Sequence, residues 1–144
     1  MNPIDILVVE DNDDDVVLIQ EAFSEGKLIN RIAFVRDGEE AMAYLRKQGG
    51  YAAVPTPGMV LLDINMPKKN GFEVLADIKA DAHLRPLPVI MLTVSDREED
   101  IVRSFEQGAC SYIRKPVTLT RFVAVVKEFE LYWSLVSQVP VLHR

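Results

Sequence analysis

The sequence contains a single cysteine, Cys110. No disulfide can close within the chain, and a reducing compartment is the simplest setting for it. Positive charge is in short supply: 16 lysines and arginines face 22 aspartates and glutamates, a formal net charge of −6. An acidic chain without a basic stripe is a poor candidate for binding nucleic acid. Long apolar runs are missing as well. None reaches the roughly 18 residues a membrane helix needs, and the start Met1-Asn2-Pro3-Ile4-Asp5 has no basic segment leading into an apolar one. A cytoplasmic chain that meets no membrane is expected. Neither Gly-x-Gly-x-x-Gly nor Gly-x-x-x-x-Gly-Lys-Ser/Thr follows the first apolar run, which argues against a nucleotide or flavin binder. There is also no internal repeat, low-complexity stretch or domain-separating linker.

What is present is enough apolar matter for one core: 49% of 144 residues are hydrophobic, the scale of a single domain. Short β-branched runs at 4–9, 31–35, 59–62, 87–92 and 111–114 read as buried strands. Between and after them, 13–26, 39–48, 71–82, 95–107 and 119–136 carry apolar residues at helical spacing. Residues 49–58, with two prolines and several glycines, read as a loop. Ser95 and Glu98 have the spacing of a capping box for the fourth helix. Strands alternating with helices predict an α/β fold, a doubly wound five-stranded parallel sheet with right-handed crossovers. In such sheets ligands sit at the carboxyl ends of the strands.

Those ends carry polar residues. Glu10 and Asp11 follow the first strand, Asp63 the third, Thr93 the fourth, and Lys115 the fifth. Taken singly, each is an ordinary turn or surface residue. Taken together, they place three carboxylates, a hydroxyl and an ammonium around one crevice. Two like charges ~4 Å apart cost on the order of 4 kcal/mol at an effective dielectric near 20. Either the carboxylate pKa values rise or a cation compensates. A hard divalent ion such as Mg²⁺ suits an all-oxygen donor set. A carboxylate can also attack phosphorus to give an aspartyl phosphate, with cationic groups holding the phosphoryl oxygens.

At this point the chain resembles the response-regulator receiver family. The matching residues are Val8-Val9-Glu10-Asp11, 63–71 (Asp-Ile-Asn-Met-Pro-Lys-Lys-Asn-Gly), 88–93 (Pro-Val-Ile-Met-Leu-Thr), Gly108-Ala109 and Tyr112-Ile113-Arg114-Lys115-Pro116. The resemblance implies a flavodoxin-like (βα)5 sheet of strand order 2-1-3-4-5, with 1–144 a single receiver domain extended by a helix and tail at 119–144. It implies that a histidine kinase phosphorylates Asp63 with Mg²⁺ present. Asp11 would bind the metal directly, Glu10 mostly through water, and the Asn65 backbone carbonyl as third protein ligand. Lys115 would contact the phosphoryl group, Thr93 and Tyr112 would form a switch pair, and the Lys115–Pro116 bond would be cis. Such a domain is not an enzyme in the usual sense, although it takes part in its own phosphorylation and autodephosphorylation. The long loop through 50–57, the Asp11-Asn12-Asp13-Asp14-Asp15-Val16 run and Asn65 look like stand-alone receivers partnered with bacterial phytochrome kinases. The family favours a small residue after the switch threonine, whereas this chain has Val94. Its branched side chain is expected to slow autodephosphorylation relative to Val94→Ala, so equal rates of phosphate loss would refute that role.

The last predicted helix suggests the output. Leu119, Phe122, Val126, Phe129, Trp133 and Val136 form one apolar face, and Val125, Leu131, Tyr132 and Leu135 widen it into a second. The second strip is expected to form a homodimer surface, the alternative being that the tail folds back over its own domain. Alternatives to a phosphorylation-driven signal are a phosphate sink, a phosphorelay intermediate, and a haloacid-dehalogenase-like phosphohydrolase. The last wants a second aspartate two residues after the first, where this chain has Asn65.

Overall fold

A computed structural model describes residues 5–25, 30–93, 97–115, 118, 120, 121, 123–125, 127 and 128. Strands β1 (Ile6–Val9), β2 (Ile32–Val35), β3 (Met59–Asp63), β4 (Val89–Thr93) and β5 (Ser111–Arg114) form one parallel sheet. Its order is β2-β1-β3-β4-β5, as the family resemblance implies. Helices α1 (Asp13–Glu25), α2 (Gly38–Leu45), α3 (Gly71–Ala80) and α4 (Glu98–Glu106) connect them.

The strand runs are apolar without a break because both faces of the sheet are covered. Alternation divides them into two layers. Leu7, Val9, Val60, Leu62 and Met91 pack with Met42, Leu45, Phe72 and Leu75 of α2 and α3. Ile6, Val8, Leu61, Leu92 and Ile113 pack with Ile19 and Phe23 of α1.

Val125 belongs to this second layer. It is 1% exposed, while its helical neighbours Ala124, Lys127 and Glu128 are exposed. The expectation that Val125 lies on a dimer surface is therefore corrected. A core-facing helix stripe is wide enough to take residues three and four apart, so a position beside the assumed seam still faces the sheet. Leu131, Tyr132 and Leu135 lie outside the described residues, as do the six residues assigned to the sheet face, Val94, Ser95 and Pro116.

Several boundaries differ from the sequence reading. Helix α4 starts at Glu98 with Arg97 as N-cap and no side-chain cap bond. A capping box does occur, at α3: the Asn70 side chain accepts from the Glu73 N–H, and the Asn70 N–H donates to Glu73 Oε1. Helix α2 stops at Leu45 because Lys47 turns to φ 56°. The Gln48 N–H then reaches Ala43 O at 2.9 Å and the Lys47 N–H reaches Tyr44 O at 3.1 Å. This is the Schellman closure, with lysine where glycine is the common choice. Strand β4 begins at Val89, because Leu87 closes a turn onto Leu84 O. The loop after α2 contains a 3₁₀ turn, Gly49–Tyr51, whose Tyr51 ring lies 5.1 Å from that of Tyr44.

Candidate functional site

The same alternation that builds the core aims the strand ends. Ile6 and Val8 face the α1 layer, so Glu10, two residues further on, points the same way. Met59 and Leu61 put Asp63 on that side, and Ile113 does the same for Lys115. Thr93 follows Met91 and belongs to the opposite face, where Tyr112 also packs. The expected acid–lysine centre and the expected switch pair thus separate onto two sides of one sheet edge.

Of the residues predicted to meet, the three carboxylates come together and Lys115 pairs with two of them. Carboxylate oxygens of Glu10, Asp11 and Asp63 lie within 4.8 Å of one another. Lys115 Nζ is 2.6 Å from Glu10 Oε2 and 3.5 Å from Asp63 Oδ1. Glu10 is fully buried. Its Oε1 accepts the Asn12 N–H at 3.1 Å, while Oε2 has the ion pair to Lys115 and no hydrogen bond. Asn65 is exposed at the rim, and its N–H donates to Asp63 Oδ1 at 3.3 Å. Thr93 is buried at the end of β4, where its carbonyl accepts the Lys115 N–H at 2.7 Å. Tyr112 is half-buried, with its ring edge-on to Phe105 at 6.0 Å.

The loop from β3 to α3 is wedged tightly against the site. The Gly71 N–H donates to Ile64 O at 2.8 Å. A Cβ on Gly71 would sit 2.8 Å from Ile64 Cα and closer still to the Asp63 carbonyl oxygen. Only glycine lets α3 start so near the strand end. On the other side, the Arg36 guanidinium donates to Asp11 O at 3.0 Å and pairs with Asp13 at 2.7 Å, fixing the segment after β1.

One site residue was not anticipated. Asp15, in the first turn of α1, accepts a hydrogen bond from Lys115 Nζ at 2.9 Å. In the sequence it is the third of three consecutive aspartates, a pattern that helix starts favour for electrostatic reasons alone. Its separate role was visible only in its spacing. It shares with Ile19 the four-residue step that faces the sheet, while Asp13 and Asp14 are exposed.

The electrostatics follow from this crowding. Burial pushes the Asp63 carboxyl up, the neighbouring Glu10 charge pushes it further, and Lys115 and the Asn65 N–H only partly oppose them. The result is a pKa of about 7. For Lys115, burial disfavours the ammonium, but the close ion pair to Glu10, the hydrogen bond to Asp15 and the charge of Asp63 outweigh it and raise its pKa. The donor set is all oxygen, and it brings three carboxylates together beside a single lysine. Both features fit a hard divalent cation.

Residues 6–127 match the response regulator receiver domain model. The chain belongs to the response regulator receiver family. Response regulator Rcp1 of Synechocystis sp. (strain ATCC 27184 / PCC 6803 / Kazusa) is 40% identical over 128 residues, covering 89% of this chain and 87% of that protein. The Mn²⁺-bound crystal structure of Rcp1 superposes with a TM-score of 0.77 over 91% of this chain and 94% of that one. The phosphorylated cyanobacterial phytochrome response regulator RcpA is 44% identical with a TM-score of 0.78, covering 92% and 94% of the two chains. The bacteriophytochrome response regulator RtBRR is 40% identical with a TM-score of 0.81, covering 89% and 78%. The narrower likeness to phytochrome-type response regulators therefore holds as well. No helix among the described residues is long and apolar enough to cross a membrane.

Proposed function

We propose that this receiver accepts a phosphoryl group on Asp63 from a sensor histidine kinase and signals through the change of surface that follows. The observation that carries the reading is the meeting of Glu10, Asp11 and Asp63 at one strand-end crevice, with Lys115 beside Glu10 and Asp63. In the transfer, an Asp63 carboxylate oxygen attacks phosphorus of the kinase phosphohistidine. The O–P bond forms as the P–N bond breaks, and the electron pair of that bond stays on the imidazole nitrogen, which takes up a proton. Hydrolysis later returns the Asp63 carboxylate and inorganic phosphate.

Asp63 attacks as the carboxylate, so Lys115 serves the reaction first by favouring the ionised form and then by holding a phosphoryl oxygen. Thr93 offers a hydroxyl to another oxygen, and Tyr112 on the same face answers its movement. Glu10, Asp11, Asp63 and the Asn65 carbonyl would hold Mg²⁺. Bound there, the ion would neutralise carboxylate and phosphoryl charge.

The chain is a phosphorylated switch rather than an enzyme acting on a separate substrate, and we place it in the cytoplasm. The likeness to RcpA and RtBRR supports a bacteriophytochrome as the kinase. Pairing of two copies through the last helix belongs to the same proposal. It now rests on Leu131, Tyr132 and Leu135, and light scattering across a concentration series tests it.

The decisive experiment incubates the protein with radiolabelled, autophosphorylated histidine kinases, with and without Mg²⁺, beside Asp63→Asn. Mg²⁺-dependent label on the wild type and none on the variant is expected. Label that persists on Asp63→Asn would refute the assignment.

A further inference from the structure

Lys115 is shared among three carboxylates, and they are not equivalent. Glu10 at 2.6 Å and Asp15 at 2.9 Å hold it closely, while Asp63 stands at 3.5 Å. Glu10 and Asp63 belong to the group able to hold a cation, and Asp15 does not. Asp15 reaches the lysine across 100 positions of sequence, from the first turn of α1. It is also well shielded: the side-chain exposures of Lys115 and Asp15 are 8% and 19%. A pair so placed is screened less than one on the surface.

A phosphoryl group on Asp63 adds ~1.5–2 negative charges beside Lys115. The ammonium then has a stronger acceptor than the carboxylate it replaces. Asp15 meanwhile contributes a charge of the same sign as the phosphoryl group and keeps a claim on the same ammonium. It therefore favours the unphosphorylated arrangement over the phosphorylated one.

We propose that Asp15 is a positioning residue that retains Lys115 in the resting arrangement and so sets how readily the phosphorylated arrangement is reached. This role rests on the reading of Asp63 as phospho-acceptor. Its effect is exerted through Lys115, with no contact between Asp15 and the reacting atoms.

The test is binding of beryllofluoride, a phosphoryl mimic, in the presence of Mg²⁺, followed by ¹⁹F NMR. Asp15→Asn should bind it roughly three- to tenfold more tightly than the wild type, the worth of one partly buried ion pair. Asp15→Ser, too short to hold the lysine, should show the same gain, and Asp15→Glu should return affinity towards that of the wild type. In a Lys115→Ala background, Asp15→Asn should change affinity less than about twofold, since the residue through which it acts is gone. A merely structural aspartate would lower thermal stability without this dependence on Lys115. Binding by the wild type that Asp15→Asn and Asp15→Ser leave unchanged or weaken overturns the proposal alone. Absence of Mg²⁺-dependent binding by the wild type overturns the phospho-acceptor reading together with it.

Discussion

Leu62 and Asp63 are adjacent residues of β3, both buried, and they do opposite things to the fold. Leu62 stands for the bodies of the strands, where both faces are covered and the chain gains by leaving water. Asp63 stands for the strand ends, where Glu10, Asp63 and Lys115 are held out of water in a cluster with more negative than positive charge. The bodies stabilise the sheet, and the ends draw on that stability to keep a crowded, buried carboxylate in place. Sites that carry chemistry commonly stand in this relation to the scaffold around them.

The largest effect is expected in the stable half, the strand bodies. Leu62→Ala should destabilise the protein by about 2–5 kcal/mol, because Leu62 is fully buried and a cavity would remain. Urea unfolding measures this, and a loss under ~1 kcal/mol would mean that the strand body is not the close-packed layer described.

The other half should respond with the opposite sign. The folded-state pKa of Asp63 is raised from 3.8 to about 7 when no metal is bound. Below the unfolded value both states bind the proton, and Asp63 leaves stability unchanged. Between the two values the folded state holds a proton that the unfolded state has lost. Stability therefore falls as pH rises through this window, and the deficit is complete above the folded value. Asp63→Asn removes that deficit. In metal-free buffer at pH 8 it should stabilise the protein by roughly 1–3 kcal/mol, a figure lowered to allow for water at the mouth of the crevice, with no gain near pH 3. Mg²⁺ should stabilise the wild type more than the variant. Thermal melts at the two pH values test this, and destabilisation by Asp63→Asn at pH 8 would contradict the charge argument.

The smallest effect contrasts two helix ends. Helices α2 and α4 close in the same way, with Lys47 at φ 56° in one and Gly108 at φ 100° in the other. Lys47→Gly should relieve the left-handed strain and stabilise by about 0.5 kcal/mol, part of the gain being offset by the added freedom of the unfolded chain. A measurable loss on thermal unfolding would show that the lysine side chain contributes packing that outweighs the strain.

The strand bodies were legible in the sequence because fully buried parallel strands leave short, unbroken apolar runs. The carboxyl-end residues were legible because the topology sends every strand end to one edge. Glu10, Asp63, Thr93 and Lys115 became informative once the strands were counted. Asp15 was hidden by Asp13 and Asp14, which give the same letter a generic helix-start explanation. Val125 lies in the core because a helix on a sheet buries a wider stripe than a single apolar seam. The cap at Asn70 is masked in the sequence by the 63–71 motif that contains it.

Of the clustered carboxylates, Asp63 alone is expected to become an acyl phosphate. Phosphorylating the protein with acetyl phosphate and Mg²⁺, reducing the acyl phosphate with borohydride, and locating the resulting homoserine by peptide mass spectrometry shows whether it does. Homoserine at position 63 is the predicted result. Homoserine at position 11, or phosphoryl incorporation that leaves position 63 as aspartate, would contradict it.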